Sequence, residues 1–97
     1  MAPFDVAVIV PRRTPASRVM DAVAAAAPGH VRNVRVFDVY EGAGIPAGHR
    51  SLALACDLLD PAGTLSPRAA EDLRRKVRAA LEASGWTVRA GDGPKPG

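Results

Sequence analysis

The sequence predicts an α+β sandwich in the element order β-α-β-β-α-β, with a four-stranded antiparallel sheet and two helices on one face. Residues 4–10 (FDVAVIV) are rich in β-branched residues and are followed by Pro11, a pattern typical of a buried strand. Thr14-Pro15 and Ser66-Pro67 each place a capping residue before a proline, which is a helix start signal. Alternating segments lie between and after these two start signals.

Each predicted helix carries an apolar stripe at helical spacing and has a clear end. The first helix ends at Pro28-Gly29, and the second ends at Gly85. The stripe of the first helix consists of Val19, Met20, Val23 and Ala27, and that of the second consists of Ala70, Leu73, Val77, Ala80 and Leu81.

The remaining segments are predicted to form three strands and a loop. Residues 31–40 and 50–59 alternate, residues 41–48 hold three glycines and a proline and predict a loop, and residues 86–89 predict a short last strand. Phe37 and Val39 are expected in the core beneath the helices, together with Leu52, Leu54, Cys56 and Leu58. The order of elements is that of a ferredoxin-like sandwich, whose crossovers place both helices on one face of the sheet.

The opposite face of the sheet is expected to be open and to carry small or polar side chains around one aromatic ring. Sheets of this kind bind single-stranded RNA by stacking bases on aromatic residues. From the alternation, the residues expected on this face are Asp5, Ala7, Ile9, Asp38, Tyr40, Ser51, Ala53 and Ala55.

Composition limits the class of protein. The 97 residues suffice for one domain, expected over residues 1–90, and the Gly/Pro-rich residues 91–97 predict a flexible tail. A net charge of +3 suits a partner that offers a few phosphates. Cys56 is the single cysteine, which excludes an internal disulfide, and no apolar run is long enough for a membrane span. The expected location is the cytoplasm.

A central stretch, residues 37–53 (FDVYEGAGIPAGHRSLA), resembles the ferredoxin-fold anticodon-binding domain that ends the β subunit of bacterial phenylalanyl-tRNA synthetase. Phe-Asp-Val-Tyr, a glycine-rich loop and a basic residue before Ser-Leu follow one another as in that family. Residues 60–66 resemble its second helix start and residues 84–89 its closing Gly-x-x-Leu-Arg, so the resemblance covers residues 4–89.

The resemblance implies a binding role for four residues and no catalytic one. Asp38, Tyr40 and Ser51 match the family's anticodon contacts, and Arg50 is expected to reach a phosphate from the loop edge. The implied partners are the anticodon loop of tRNA(Phe) and other synthetase domains or subunits, with no DNA, cofactor or metal. Pro3 and Phe4 stand where the family commonly has arginines, and His49 stands where a charged or polar residue is usual.

Two other functions fit the same topology. An acylphosphatase-like hydrolase needs an arginine in a glycine-rich cradle after the first strand, whereas Pro11-Arg12-Arg13 contains no glycine. An oligomerising or ligand-sensing sandwich would pair through its sheet edges without affinity for RNA. The histidines, His30 and His49, lie in expected loops without partners spaced for metal binding or catalysis, and the Arg74-Arg75-Lys76 run is expected to be a solvated helix face.

Overall fold

The computed structural model describes residues 2–89 and has the expected order of elements. The strands are β1 (Ala2–Pro11), β2 (Val31–Tyr40), β3 (His49–Leu58) and β4 (Thr87–Val88), and the helices are α1 (Ala16–Ala26) and α2 (Pro67–Ala83). All strand pairs are antiparallel in one sheet of order β2-β3-β1-β4. This is the predicted ferredoxin-like arrangement. The tail predicted over residues 91–97 lies outside the described residues.

The two helices begin in different ways. The Ser66 side chain caps α2 by accepting a hydrogen bond from the Ala69 N–H at 3.1 Å, as its position before Pro67 predicts. The capping role expected for Thr14 is wrong, because α1 begins one residue later, with Pro15 in the cap position and no side-chain cap. The Thr14 N–H instead donates to the Pro11 carbonyl at 2.9 Å, which closes the turn after β1.

The core lies between the helices and one face of the two central strands. Leu52, Leu54, Cys56 and Leu58 of β3 all lie in it, as the alternation predicts. Strand β1 contributes Phe4, Val6, Val8 and Val10, and the helices contribute Val19, Val23, Leu73, Val77 and Leu81. The helix stripes and the central strands therefore pack as the sequence indicates.

The expectation that Phe37 and Val39 lie in the core is wrong, since they are 57% and 50% exposed. The pairing of β2 with β3 shifts between Val36 and Asp38, so Phe37 has no partner on β3 and Val36 takes the position opposite Leu54. Val39 lies opposite the buried Leu52, but β2 is an edge strand of the sheet and the helices leave its end uncovered. No helix within residues 2–89 is long and apolar enough to cross a membrane.

Candidate nucleic-acid interface on the open sheet face

The sheet face opposite the core, hereafter the open face, is ordered in rows by strand pairing. Directly paired residues of antiparallel strands point to the same side of a sheet, so the register shows which side chains are neighbours. The Tyr40 row crosses all four strands and consists of Tyr40, Ser51, Ile9 and Thr87. The Asp38 row lies beside it and consists of Asp38, Ala53, Ala7 and Arg89, whose backbone N–H donates to the Ala7 carbonyl at 2.8 Å.

Tyr40 lies at the end of β2 and is held by the loop that follows. Its hydroxyl donates to the Ala43 carbonyl at 3.1 Å. A Cβ added to Gly42 would lie 3.2 Å from the Tyr40 hydroxyl, and the φ angle of Gly42 is +135°, so both space and backbone favour glycine there. Tyr40 as a whole nevertheless remains 42% exposed. It is therefore a fixed aromatic surface at the rim of the open face.

Asp38 and Ser51 share the open face with Tyr40 but differ in accessibility. The Asp38 carboxylate is exposed, and within residues 2–89 it has no side-chain hydrogen bond or ion pair. Ser51 is only 3% exposed, and its hydroxyl oxygen accepts a hydrogen bond from the Arg89 guanidinium at 3.3 Å. Of these two, Asp38 is the accessible group on this face.

Arg50 does not lie with the other three candidate residues. It pairs with Val10, a core residue, and so points to the helix side of the sheet. Its guanidinium donates to the Thr14 carbonyl at 2.8 Å, and its Nε is buried without a hydrogen-bond partner. The geometry gives Arg50 a structural role that ties β3 to the segment before α1.

Arg12 lies at the end of the sheet where Tyr40 is found. Its backbone N–H donates to the Gly48 carbonyl at 2.8 Å, and its guanidinium forms a salt bridge with Glu41 at 2.7 Å. Both side chains of this ion pair are exposed. The pair links the segment after β1 to the loop beside Tyr40 and places a cation at this end of the sheet.

The sequence-based candidates do not include Arg89, which lies on this face, or the exposed Phe37 of β2. Arg89 belongs to the closing motif of the resemblance, and its alternation with Thr87 is a signal that both share the open face. The exposed ring of Phe37 has no equivalent signal, because it depends on a shift in strand pairing that a single sequence does not reveal.

The basic run on α2 lies on the other side of the molecule and is paired locally. Arg74 donates to Glu71 at 2.8 Å and Arg75 donates to Asp72 at 3.0 Å. The hydrogen bond from Arg74, with its charge, lowers the pKa of the Glu71 carboxyl. Arg75 and Lys76 are exposed, as the sequence predicts for this helix face, whereas the Arg74 side chain is partly buried.

The chain is similar to known proteins over nearly all of its described residues. The family model for the ferredoxin-fold anticodon binding domain matches residues 3–89. The phenylalanine–tRNA ligase β subunit of Methylococcus capsulatus is 39% identical over 79 residues, which are 81% of this chain and 10% of that protein. The corresponding subunit of Moorella thermoacetica is 37% identical over 78 residues, 80% of this chain and 10% of the relative.

A third relative extends the match to more of the chain. The β subunit from Neisseria meningitidis serogroup B is 34% identical over 86 residues, 89% of this chain and 11% of that subunit. The chain thus spans about a tenth of the length of these curated relatives. The family match covers nearly all of the described residues and confirms the resemblance carried by residues 37–53. The chain belongs to the family of ferredoxin-fold anticodon-binding domains.

Proposed function

We propose that this domain binds the anticodon loop of tRNA(Phe) on its open face. Its role is to recognise the tRNA and not to catalyse a reaction. The observation that carries the proposal is the pairing of an exposed ring with an exposed carboxylate. Tyr40 and Asp38 lie two positions apart on β2, both on the open face, with only the small Ala53 opposite Asp38. Family membership and the relatives' β-subunit names support the same partner.

The two side chains supply different kinds of interaction. The Tyr40 ring offers a stacking surface, which tolerates any base and contributes about 1–3 kcal/mol per stacked base. The Asp38 carboxylate accepts hydrogen bonds only, so it suits the paired N–H donors on the Watson–Crick edge of guanine. Stacking therefore provides affinity, and Asp38 provides discrimination among bases.

Ser51 and Arg50 take more limited parts in this proposal. The Ser51 hydroxyl is almost completely buried. Ser51 therefore contributes through the Arg89 guanidinium, which donates to its hydroxyl oxygen. Arg50 can reach a phosphate only if its guanidinium leaves the Thr14 carbonyl. Arg12 lies at the same end of the sheet, and its guanidinium contacts the exposed Glu41 side chain, so it can reach a phosphate without leaving a backbone carbonyl.

The direct test is a titration of the 97-residue chain with two anticodon stem-loops. One is of the phenylalanine type, and the other differs only in carrying adenine in place of guanine at the first anticodon position. Tighter binding of the guanine form supports the proposal. Equal binding of the two stem-loops would contradict anticodon reading, and absence of binding to both would contradict the RNA-binding role of the isolated chain. We place this function in the cytoplasm, beside other synthetase domains or subunits.

A second candidate is an oligomerising sandwich, and one observation favours it. Phe37 and Val39 are large, exposed apolar residues on β2, which is an edge strand with unpaired backbone groups. Sedimentation analysis separates the candidates. A dimer that Phe37→Ser dissociates, with no affinity for either stem-loop, would favour the second candidate over the first.

A further inference from the structure

Strand β2 has a long edge that no other strand covers. It is the outermost strand on its side of the sheet, so its ten residues pair with β3 on one side and have no partner strand on the other side within residues 2–89. The opposite edge of the sheet is β4, which has only two residues. Prolines and lysines commonly block pairing at such edges, and β2 contains neither. The edge of β2 is therefore able to pair with another strand.

A shift in pairing at Phe37 changes which residues of β2 share a face. Arg35 lies opposite Ala55, and Asp38 lies opposite Ala53, the alternate position of the same face of β3. Residues three positions apart point to opposite faces in a regular strand, whereas the extra residue at Phe37 places Arg35 and Asp38 on the same one. Both side chains are exposed. A cation and an anion therefore lie on one face of the uncovered edge, on either side of the shift.

This arrangement is complementary to a second copy of itself. If two β2 strands pair antiparallel about a two-fold axis between Val36 and Phe37, Arg35 of each copy lies opposite Asp38 of the other, so the ion pair forms twice. Directly opposite residues of an antiparallel pair point to the same face, and the shift at Phe37 satisfies that requirement. A two-fold axis at Arg35 or at Asp38 would instead oppose like charges, which destabilises a strand pair.

The same register brings apolar side chains together on the helix side. Val34 lies opposite Val39 of the second copy, and Val36 lies opposite Phe37. Val34 and Val36 are partly buried and pack against the core, whereas Phe37 is 57% and Val39 is 50% exposed. Self-pairing thus gives the two exposed apolar residues of this edge apolar neighbours. Charge and apolar surface favour the same register.

We propose that two copies of this chain associate through β2 and form one antiparallel sheet of eight strands. The Arg35 guanidinium donates to the Asn33 carbonyl at 2.7 Å through one nitrogen, which leaves other donors of its fork for Asp38 of the second copy. Each copy contributes a single strand, so the interface is small and we expect a dissociation constant on the order of 10–100 µM. Pairing extends the sheet sideways and leaves the open face uncovered. The inference goes beyond the proposed RNA binding and does not rest on it.

Charge reversal tests the register by sedimentation equilibrium. Arg35→Asp and Asp38→Arg each put like charges opposite one another at two places in the dimer, so each should weaken dimerisation about tenfold or more. Arg68→Asp is the matched control, because it makes the same change in net charge at an exposed position of α2. It should leave the wild-type dissociation constant unchanged. An equal weakening by Arg35→Asp and Arg68→Asp would show an effect of net charge alone and would overturn the register.

Mixing the two charge-reversal variants supplies the decisive measurement. In an equimolar mixture, each Arg35→Asp chain meets an Asp38→Arg chain with opposite charges at both places, so heterodimers should form with nearly the wild-type dissociation constant. Recovery also shows that both variants are folded. A mixture that stays monomeric, when both variants melt as wild type does, would overturn the register, and wild type that stays monomeric up to roughly 1 mM would overturn the proposal. No RNA is present, so failure here leaves the proposed function standing, and loss of RNA binding leaves the dimer standing.

Discussion

The two faces of the sheet are formed by the same strands but carry side chains of different size. The helix side carries Val6, Val8, Leu52 and Leu54, all nearly inaccessible, and packs against α1 and α2. The open face carries alanines in the same strands, flanked by Asp38, Tyr40 and Arg89. Large side chains on one face stabilise the fold, and small ones on the other leave room for a ligand. The comparison predicts that stability and RNA binding separate cleanly by face.

The largest expected effect is on stability, from a change on the helix side. Leu54 is 1% exposed, and Leu54→Ala should lower the free energy of unfolding by about 2–5 kcal/mol, because it removes buried surface and leaves a cavity. Ala53→Ser, at the adjacent position on the open face, should cost less than about 0.5 kcal/mol. Urea unfolding measures both. Similar losses for the two variants would break the distinction between the faces.

The next effect is on affinity, from a change on the open face. Tyr40→Ala should weaken binding of the guanine and adenine stem-loops alike by about 1–3 kcal/mol, since stacking does not depend on base identity. Tyr40→Phe keeps the ring and removes only the hydroxyl that donates to Ala43, so its affinity should stay close to that of wild type. Titration followed by fluorescence of a labelled RNA measures both variants. Full affinity in Tyr40→Ala would remove the ring from the interface.

The two faces also differ in how well the sequence predicts them. Alternation predicts the core positions of β3, because a strand that packs against helices repeats its apolar residues with a period of two. The same rule placed Tyr40, Asp38 and Ser51 on the open face. It failed at Phe37, where a shift in pairing breaks the period, and at Thr14, where the helix begins one residue later than its cap signal.

What alternation could not supply was the contact made by each side chain. The sequence places Ser51 on the open face but does not show that Arg89, distant in sequence and two strands away in the sheet, covers it. Likewise it places Arg50 beside the loop but does not show its hydrogen bond to Thr14. These contacts depend on the order of strands in the sheet and on the reach of long side chains, and both arise only in the folded chain.

A smaller effect, confined to one base, is expected from Asp38. Asp38→Ala should weaken binding of the guanine stem-loop by about 1–3 kcal/mol and leave the adenine stem-loop nearly unchanged, because the carboxylate pairs only with the guanine donors. Asp38→Asn is the matched variant, which replaces one acceptor by a donor and should also lose the preference. An equal loss for both stem-loops would mean that Asp38 supports the end of β2 and reads no base.

A pH-dependent effect on stability should come from Cys56 on the helix side. Burial, with a smaller contribution from the nearby Asp57 carboxylate, raises the pKa of the Cys56 thiol from 9.0 to about 11. The unfolded chain therefore loses this proton first, so stability is unaffected below about pH 9 and falls as the pH rises from 9 to 11. Relative to Cys56→Ala, wild type should lose about 1–2 kcal/mol across that window, by urea unfolding at each pH. Parallel pH profiles for the two proteins would contradict this.

The smallest expected effect concerns charges at the rim of the open face. With two or three phosphates contacted, log affinity against log salt should have a slope of about −1.5 to −2, using roughly −0.7 for each contact with single-stranded RNA. Arg12 lies at the end of the sheet where Tyr40 is found, and Arg12→Gln should make the slope shallower by about 0.7. Arg75 lies on α2, where it pairs with Asp72, so Arg75→Gln should leave the slope unchanged. Titrations across a range of salt concentrations measure all three proteins. A wild-type slope steeper than about −5 that becomes shallower in Arg75→Gln would instead place the RNA on the helix side. Stability and RNA binding would then not separate by face.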